Sequence, residues 1–214
     1  MSKRNIIIIA AIALALLAAD LPAAQAAKKT QLILRAGYNL FQSSGSDGDY
    51  VAGENDFPVT PAYGAAVAGL GISVSRSKSM AFGLDVRYGL AGQVDLRDPS
   101  DGEVVRVDTP KSLLAVVGIT RFIELSGRLR LALTLGAGAE YLMAGDQEFI
   151  SALGNKIVIP SPEKPFSPLA AVGAGVRAML SDSLGLAFEV QGAYIFRQAA
   201  QLLITPSLGL VLEL

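Results

Sequence analysis

The chain has 214 residues, 51% of them apolar and 17% charged, and carries a formal net charge of −1. That is greasier than most soluble proteins, and without a basic run or face it offers no electrostatic attraction for nucleic acid. The absence of cysteine and histidine excludes a disulfide framework, a thiol nucleophile and a lipoprotein anchor, disfavours the usual structural zinc sites, and leaves no metal or cofactor to be expected.

The N-terminus sets Lys3 and Arg4 before the apolar run Ile6 to Leu17, then Pro22 and Ala24-Gln25-Ala26 before Lys28 and Lys29. These are the three parts of a secretory signal, with cleavage expected after Ala26. The run is too short for the ~20 residues of a spanning helix. Residues 1–26 therefore read as a signal peptide and 27–214 as the exported domain.

The mature chain repeats one pattern, an alternation of period two that a strand, not a helix, turns into two faces. In the first such strand Leu32, Leu34, Ala36, Tyr38 and Leu40 alternate with Gln31, Ile33, Arg35, Gly37 and Asn39. Gln42 to Pro61, rich in Ser, Gly and Asp, is a long polar loop. In the second strand Ala66, Ala68, Leu70, Ile72 and Val74 oppose Val67, Gly69, Gly71, Ser73 and Ser75, and Ser75 to Ser79 turns the chain. The third sets Met80, Phe82, Leu84, Val86, Tyr88 and Leu90 against Ala81, Gly83, Asp85, Arg87, Gly89 and Ala91.

Gly92 to Lys111 is a second long loop. Val94 on one side of its Asp98-Pro99-Ser100-Asp101-Gly102 turn, and Val104, Val105 and Val107 on the other, predict that the flanking strands continue as a hairpin. The fourth strand, Leu113 to Ile123, alternates too weakly for its faces to be assigned; Glu124-Leu125-Ser126-Gly127 is a tight turn. The fifth, Arg128 to Tyr141, is the most regular: Leu129, Leu131, Leu133, Leu135, Ala137 and Ala139 on one face, and Arg128, Arg130, Ala132, Thr134, Gly136, Gly138 and Glu140 on the other.

Ala144 to Ser167, with Pro160, Pro162 and Pro165, is a third long loop. The sixth strand sets Ala170, Val172, Ala174, Val176 and Ala178 against Ala171, Gly173, Gly175 and Arg177, and Ser181-Asp182-Ser183 turns the chain. The seventh sets Leu184, Leu186, Phe188, Val190, Tyr194 and Phe196 against Gly185, Ala187, Glu189, Gln191 and Ala193. After an Arg197 to Gln201 connection, the eighth sets Leu208, Leu210, Leu212 and Leu214 against Ser207, Gly209, Val211 and Glu213.

The connections run long, short, long, short, long, short, medium. In an up-and-down meander this gathers the short turns at one rim and the long loops at the other. The aromatic residues agree with this. Tyr38, Phe41, Tyr63, Tyr88, Tyr141, Tyr194 and Phe196 fall at long-loop ends, and Phe82, Phe122 and Phe188 near short-turn ends, forming two girdles. The expected fold is all-β: an eight-stranded antiparallel up-and-down transmembrane β-barrel with both termini in the periplasm.

From Gln31 to Leu214 the chain resembles the eight-stranded outer-membrane barrels of Gram-negative bacteria, of the OmpA-type transmembrane-domain class, without the peptidoglycan-binding domain of longer members. The resemblance implies outer-membrane lipids and lipopolysaccharide as surroundings, the outer-membrane assembly machinery as a partner, and three long loops facing an unidentified extracellular partner. Members of the class typically end in an aromatic residue; this chain ends in Leu214, which bears on assembly rather than on fold.

The inward faces carry Arg35, Arg87, Arg130 and Arg177 with Asp85, Glu140, Glu189 and Glu213. An eight-stranded barrel has an interior that side chains fill, so these groups must pair. The expected result is a lumenal charge network that plugs and rigidifies the barrel, with Asp85 and Glu189 explained as partners of Arg87 and Arg35. Arg130 and Glu140 lie too far apart along one extended strand to pair with each other. The alternatives are a narrow ion channel or a route for small hydrophobic molecules, and a soluble lipocalin-like barrel with its apolar face inside.

Catalysis is not expected, because the barrel enzymes of this compartment use a histidine. Gly136-Ala137-Gly138 and Gly173-Ala174-Gly175 lack the third glycine and the helix of a nucleotide fingerprint, and read instead as room for long arginines. Asp47, Asp49, Glu54 and Asp56, interspersed with Gly45, Gly48 and Gly53, lack the ordered spacing of a calcium loop and read as solvated.

Overall fold

The computed structural model describes residues 29–43, 51–52, 55–56, 62–91, 93–97, 104–108, 111–143, 147–150, 156–159, 165–196 and 201–214. The signal segment, its cleavage site and most of the acidic loop lie outside them. Eight strands form one closed antiparallel barrel: β1 (Thr30–Ser43), β2 (Ala62–Ser77), β3 (Met80–Gly89), β4 (Lys111–Ser126), β5 (Leu129–Met143), β6 (Phe166–Met179), β7 (Leu184–Ile195) and β8 (Gln201–Glu213). Each pairs with its neighbours in sequence, and β8 closes on β1. This is the up-and-down arrangement expected from the alternation of connections, and at 10 to 16 residues the strands are long enough to cross a hydrocarbon layer at a tilt.

The short turns are tied to the next strand: Phe122 N–H of β4 donates to Ser79 O of the β2–β3 turn at 2.7 Å, and Met179 N–H of β6 to Arg128 O of the β4–β5 turn at 2.8 Å. Ser181 Oγ accepts from Leu184 N–H at 3.1 Å, which holds the β6–β7 turn as serine turns do. At the opposite rim the hairpin of Gln93–Arg97 with Val104–Asp108 is present, as Val94 and its partner valines predict. Two further small pairings, Val51–Ala52 with Asn55–Asp56 and Gln147–Ile150 with Lys156–Ile159, lie in segments that read only as loops.

The outward face is a continuous apolar surface that includes Leu34, Leu70, Ile72, Leu84, Val117, Leu186 and Leu208, all exposed. The inward residues are mostly buried, so the polar and charged side chains of the strands are the ones withdrawn from solvent. That inversion rules out the lipocalin-like alternative, in which the leucine ladders would point inward.

Toward the long-loop rim the lumen is filled by an apolar cluster containing Leu114, Val116, Leu169, Ile195 and Leu203, each 5% exposed or less. Nearer the short turns, Ile33 packs with Ala187 and Val211, and Phe122 with Ala81 and Ala132. The structure assigns the faces of β4, turning Ser112, Leu114, Val116 and Phe122 inward. This corrects the expected position of Phe122. At 6% exposure it is a lumenal side chain rather than part of an outer girdle, because strand parity from Leu114 carries it inside. β8 also begins well before Ser207, at Gln201.

The closing seam has one interruption. The β1–β8 register runs through Gly37↔Ser207 and resumes at Leu40↔Ile204. Pro206, which has no N–H to donate, lies in this gap. Side chains span it: Thr205 Oγ1 donates to Asn39 Oδ1 at 2.7 Å, with both residues buried.

Candidate functional site in the barrel lumen

The charged residues converge from strands far apart in sequence. β1 supplies Arg35, β3 supplies Asp85 and Arg87, β6 supplies Arg177 and β7 supplies Glu189. Arg35 Nη1 lies 2.8 Å from Glu189 Oε2 and 3.6 Å from Asp85 Oδ2. Arg87 donates to Asp85 Oδ2 from Nη2 at 2.6 Å and from Nε at 2.9 Å, and its Nη2 is 4.0 Å from Glu189 Oε1. The two arginines and two carboxylates thus form one closed cluster across the lumen. In surroundings poorer in water than bulk solvent, such a cluster is strong only when its members are all matched.

Small residues make the cluster possible. A Cβ at Gly69 would approach Arg87 Cγ to 2.9 Å, and one at Gly173 would approach Glu189 Oε1 to 3.2 Å. These glycines leave the width that long side chains need, as the Gly-x-Gly segments suggest.

A second set lies toward the short turns. Arg177 Nη1 donates to Gln31 Oε1 at 2.7 Å, Gln31 Nε2 donates to Glu213 Oε1 at 2.8 Å, and Lys29 Nζ pairs with Glu213 Oε2 at 2.9 Å. The Arg177 guanidinium also lies 4.8 Å from the centroid of the Phe122 ring, a cation–π contact. Arg130 sits directly opposite Arg177 in the β5–β6 register. Glu140 is fully buried toward the other rim, flanked in register by Leu114 and Ser167. The eight lumenal charges are therefore not one network. Arg35, Asp85, Arg87 and Glu189 are together; Arg177 and Glu213 are linked through Gln31; Arg130 and Glu140 occupy opposite ends.

Several polar lumenal residues were not singled out as site residues in sequence, namely Gln31, Asn39, Ser73, Gln191 and Thr205, all buried. Their signal was their parity with Arg35, Gly71, Glu189 and Ser207.

On the outer surface, Tyr38, Tyr141 and Phe196 are exposed toward the long loops, with Tyr88 and Tyr194 half-buried there, and Phe82 and Phe188 are exposed toward the short turns. Tyr194 meets Phe196 edge-to-face at 5.1 Å. Phe166, 64% exposed at the long-loop end of β6, belongs to this belt by position, although it falls within Ala144 to Ser167, which reads as loop in the sequence. The side chains of Phe41 and Tyr63 lie outside the described residues.

The fold is that of the small eight-stranded outer-membrane barrels. Neisserial surface protein A is similar, with a TM-score of 0.52 and 11% identity over 86% of this chain and 96% of that one. The outer membrane protein OprG from Pseudomonas aeruginosa is similar at a TM-score of 0.52 and 12% identity, over 90% and 99%. No family model matches the chain, and no curated protein matches it in sequence.

Proposed function

We propose that the protein is an integral outer-membrane barrel with a structural or surface-interaction role, its lumen closed by side chains and its long loops presented outward. The observation that carries this reading is the packing of the lumen toward the long-loop rim, where Ile195, Leu203 and Leu114 are at most 2% exposed. Close packing of apolar side chains at this rim, with Glu140 buried among them, is a barrier to ions that does not depend on the salt bridges of the charged cluster. Below it the clustered charges cross-link β1, β3 and β7, stiffening the barrel rather than lining a water column.

The outward leucine face supports a lipid partner, and the export signal with the barrel fold supports the outer membrane and its assembly machinery. The long segments at one rim support an extracellular partner. No catalytic role is assigned: the chain has no histidine to serve as base, and the lumenal carboxylates Asp85 and Glu189 are engaged by arginines. Conductance across a planar bilayer tests the closed lumen. The reading predicts no unitary steps up to the voltage at which the bilayer fails, and reproducible steps from folded protein would replace it with a channel.

A further inference from the structure

The lumenal charges balance in number but not in space. Asp85 and Glu189 are engaged by Arg35 and Arg87, which leaves Arg130 and Arg177 without either in contact. Glu213 is engaged by Lys29, and Glu140 lies toward the far rim. Among the described residues no carboxylate comes within ion-pair distance of Arg177, which is 5% exposed. Arg130 faces it across the strand pair, and like charges directly opposite each other raise the energy of a sheet. Glu189 and Asp85 act on Arg177 only at longer range, and a buried guanidinium with no carboxylate in contact is expensive enough that a matching anion is a fitting remedy.

A place for that anion exists beside it. A cavity of about 40 Å³ lies against Arg177, Arg35, Ser73, Asp85, Glu189 and Thr134, among others. A water needs only about 10 to 15 Å³ on this measure, so the space accepts a monatomic anion with a water or two but no bulky group. The wall is already polar and incompletely satisfied. Arg177 Nε, Arg35 Nε and Ser73 Oγ are buried with no hydrogen-bond partner, and they supply two N–H groups and a hydroxyl as donors. Asp85 Oδ1 is a buried acceptor at the same cavity. It disfavours direct contact with an anion and fits a bridging water, while its other oxygen is held by Arg87 and Glu189, on the same wall, is held by Arg35 at 2.8 Å with Arg87 at 4.0 Å. Gly71 keeps the space open: a Cβ there would enter at ordinary contact distances, 3.6 Å from Asp85 Oδ1 and 3.8 Å from Arg35 Nη2.

We propose that this cavity between Arg35 and Arg177 is a binding site for one small monovalent anion of halide size, which supplies the contact ion pair that Arg177 does not make with Glu189 or Asp85. The test uses bromide as the probe. Crystals of the folded protein in sodium bromide, measured at the bromine absorption edge, should show one anomalous peak within hydrogen-bonding distance of Arg177 Nε and Arg35 Nε.

The same peak should be lost in Arg177→Gln, which removes the charge, and in Gly71→Ala, which removes room and no charge. In solution, exchanging gluconate for bromide at constant ionic strength should raise the folding equilibrium constant about tenfold at ten times the dissociation constant, in the wild type and in neither variant. Water density alone in the wild-type cavity would overturn the proposal. So would a bromide peak that persists in Gly71→Ala, or equal bromide stabilisation of all three proteins. These outcomes are separate from conductance, since a closed barrel with or without the anion passes no current.

Discussion

Replacing Glu189 with leucine should be among the most damaging single changes in the lumen. Glu189 is 4% exposed and accepts from Arg35 Nη1 at 2.8 Å, with Arg87 Nη2 at 4.0 Å. Its loss leaves Arg35 facing only Asp85, at 3.6 Å, while Asp85 is already engaged by Arg87 at 2.6 Å. Stranding one partner of a buried pair costs about 3 to 5 kcal/mol, a shift of roughly two to three and a half powers of ten in the unfolding equilibrium. The assay is urea unfolding in vesicles, followed by the migration difference between folded and boiled protein on a denaturing gel. Arg35→Met in the Glu189→Leu background removes the stranded charge, so the double variant should lose less than the sum of the two single losses. Strict additivity, or a Glu189→Leu protein as stable as wild type, would refute the idea that these groups act as one cluster.

Other perturbations probe other parts of the barrel. Leu70→Arg places a charge on the outer face between Leu34 and Val86; near the bilayer midplane it should cost about 2 to 4 kcal/mol, read as a lower folding yield into vesicles. Thr205→Val removes the side-chain bond across the Pro206 interruption and should cost about 1 to 3 kcal/mol, with faster hydrogen exchange in β1 and β8 and not in β4 and β5. Gly69→Val drives a side chain against Arg87 Cγ and the Val86 carbonyl, so a loss of about 1 to 3 kcal/mol in the same urea assay is expected. Replacing the hairpin of residues 93–108 with a short turn should leave the heat-dependent gel shift unchanged, because this pairing lies beyond the barrel strands.

What could be read from the chain alone follows how polar each part of the lumen is. Where the inward positions are Gly, Ser or charged, as in β1, β3 and β7, the alternation against outward leucines stands out and both faces are legible. Toward the long-loop rim many inward positions are themselves apolar, among them Leu114, Val116, Leu169, Ile195 and Leu203, and the contrast weakens. In β4, Leu113 and Val117 point out while Leu114 and Val116 point in, so four neighbouring apolar residues hide the period. The same loss of contrast hides the inward position of Phe122 on that strand. The start of β8 is obscured in the same way, since Leu202, Leu203 and Ile204 are all apolar although Leu203 alone is fully inside.

Pairing was illegible for a different reason. Arg35 and Glu189 are 154 positions apart, and their contact depends on a register that no local pattern encodes. The separation of Glu140 from the other charges, and the engagement of Glu213 by Lys29, likewise appear only once the strands are aligned, and with them the excess positive charge around Arg177.

The central claim is that the apolar face meets lipid and the polar face fills the lumen. The chain contains no tryptophan, so a single introduced indole is an unambiguous reporter. Phe188 and Phe122 both lie toward the short turns, but Phe188 is 51% exposed on the outer surface and Phe122 is 6% exposed inside. Refolded into vesicles of lipid brominated along the acyl chain, Phe188→Trp should be strongly quenched and Phe122→Trp should fluoresce as it does in unbrominated lipid. Quenching of Phe122→Trp with Phe188→Trp unaffected would turn the barrel inside out and contradict the account.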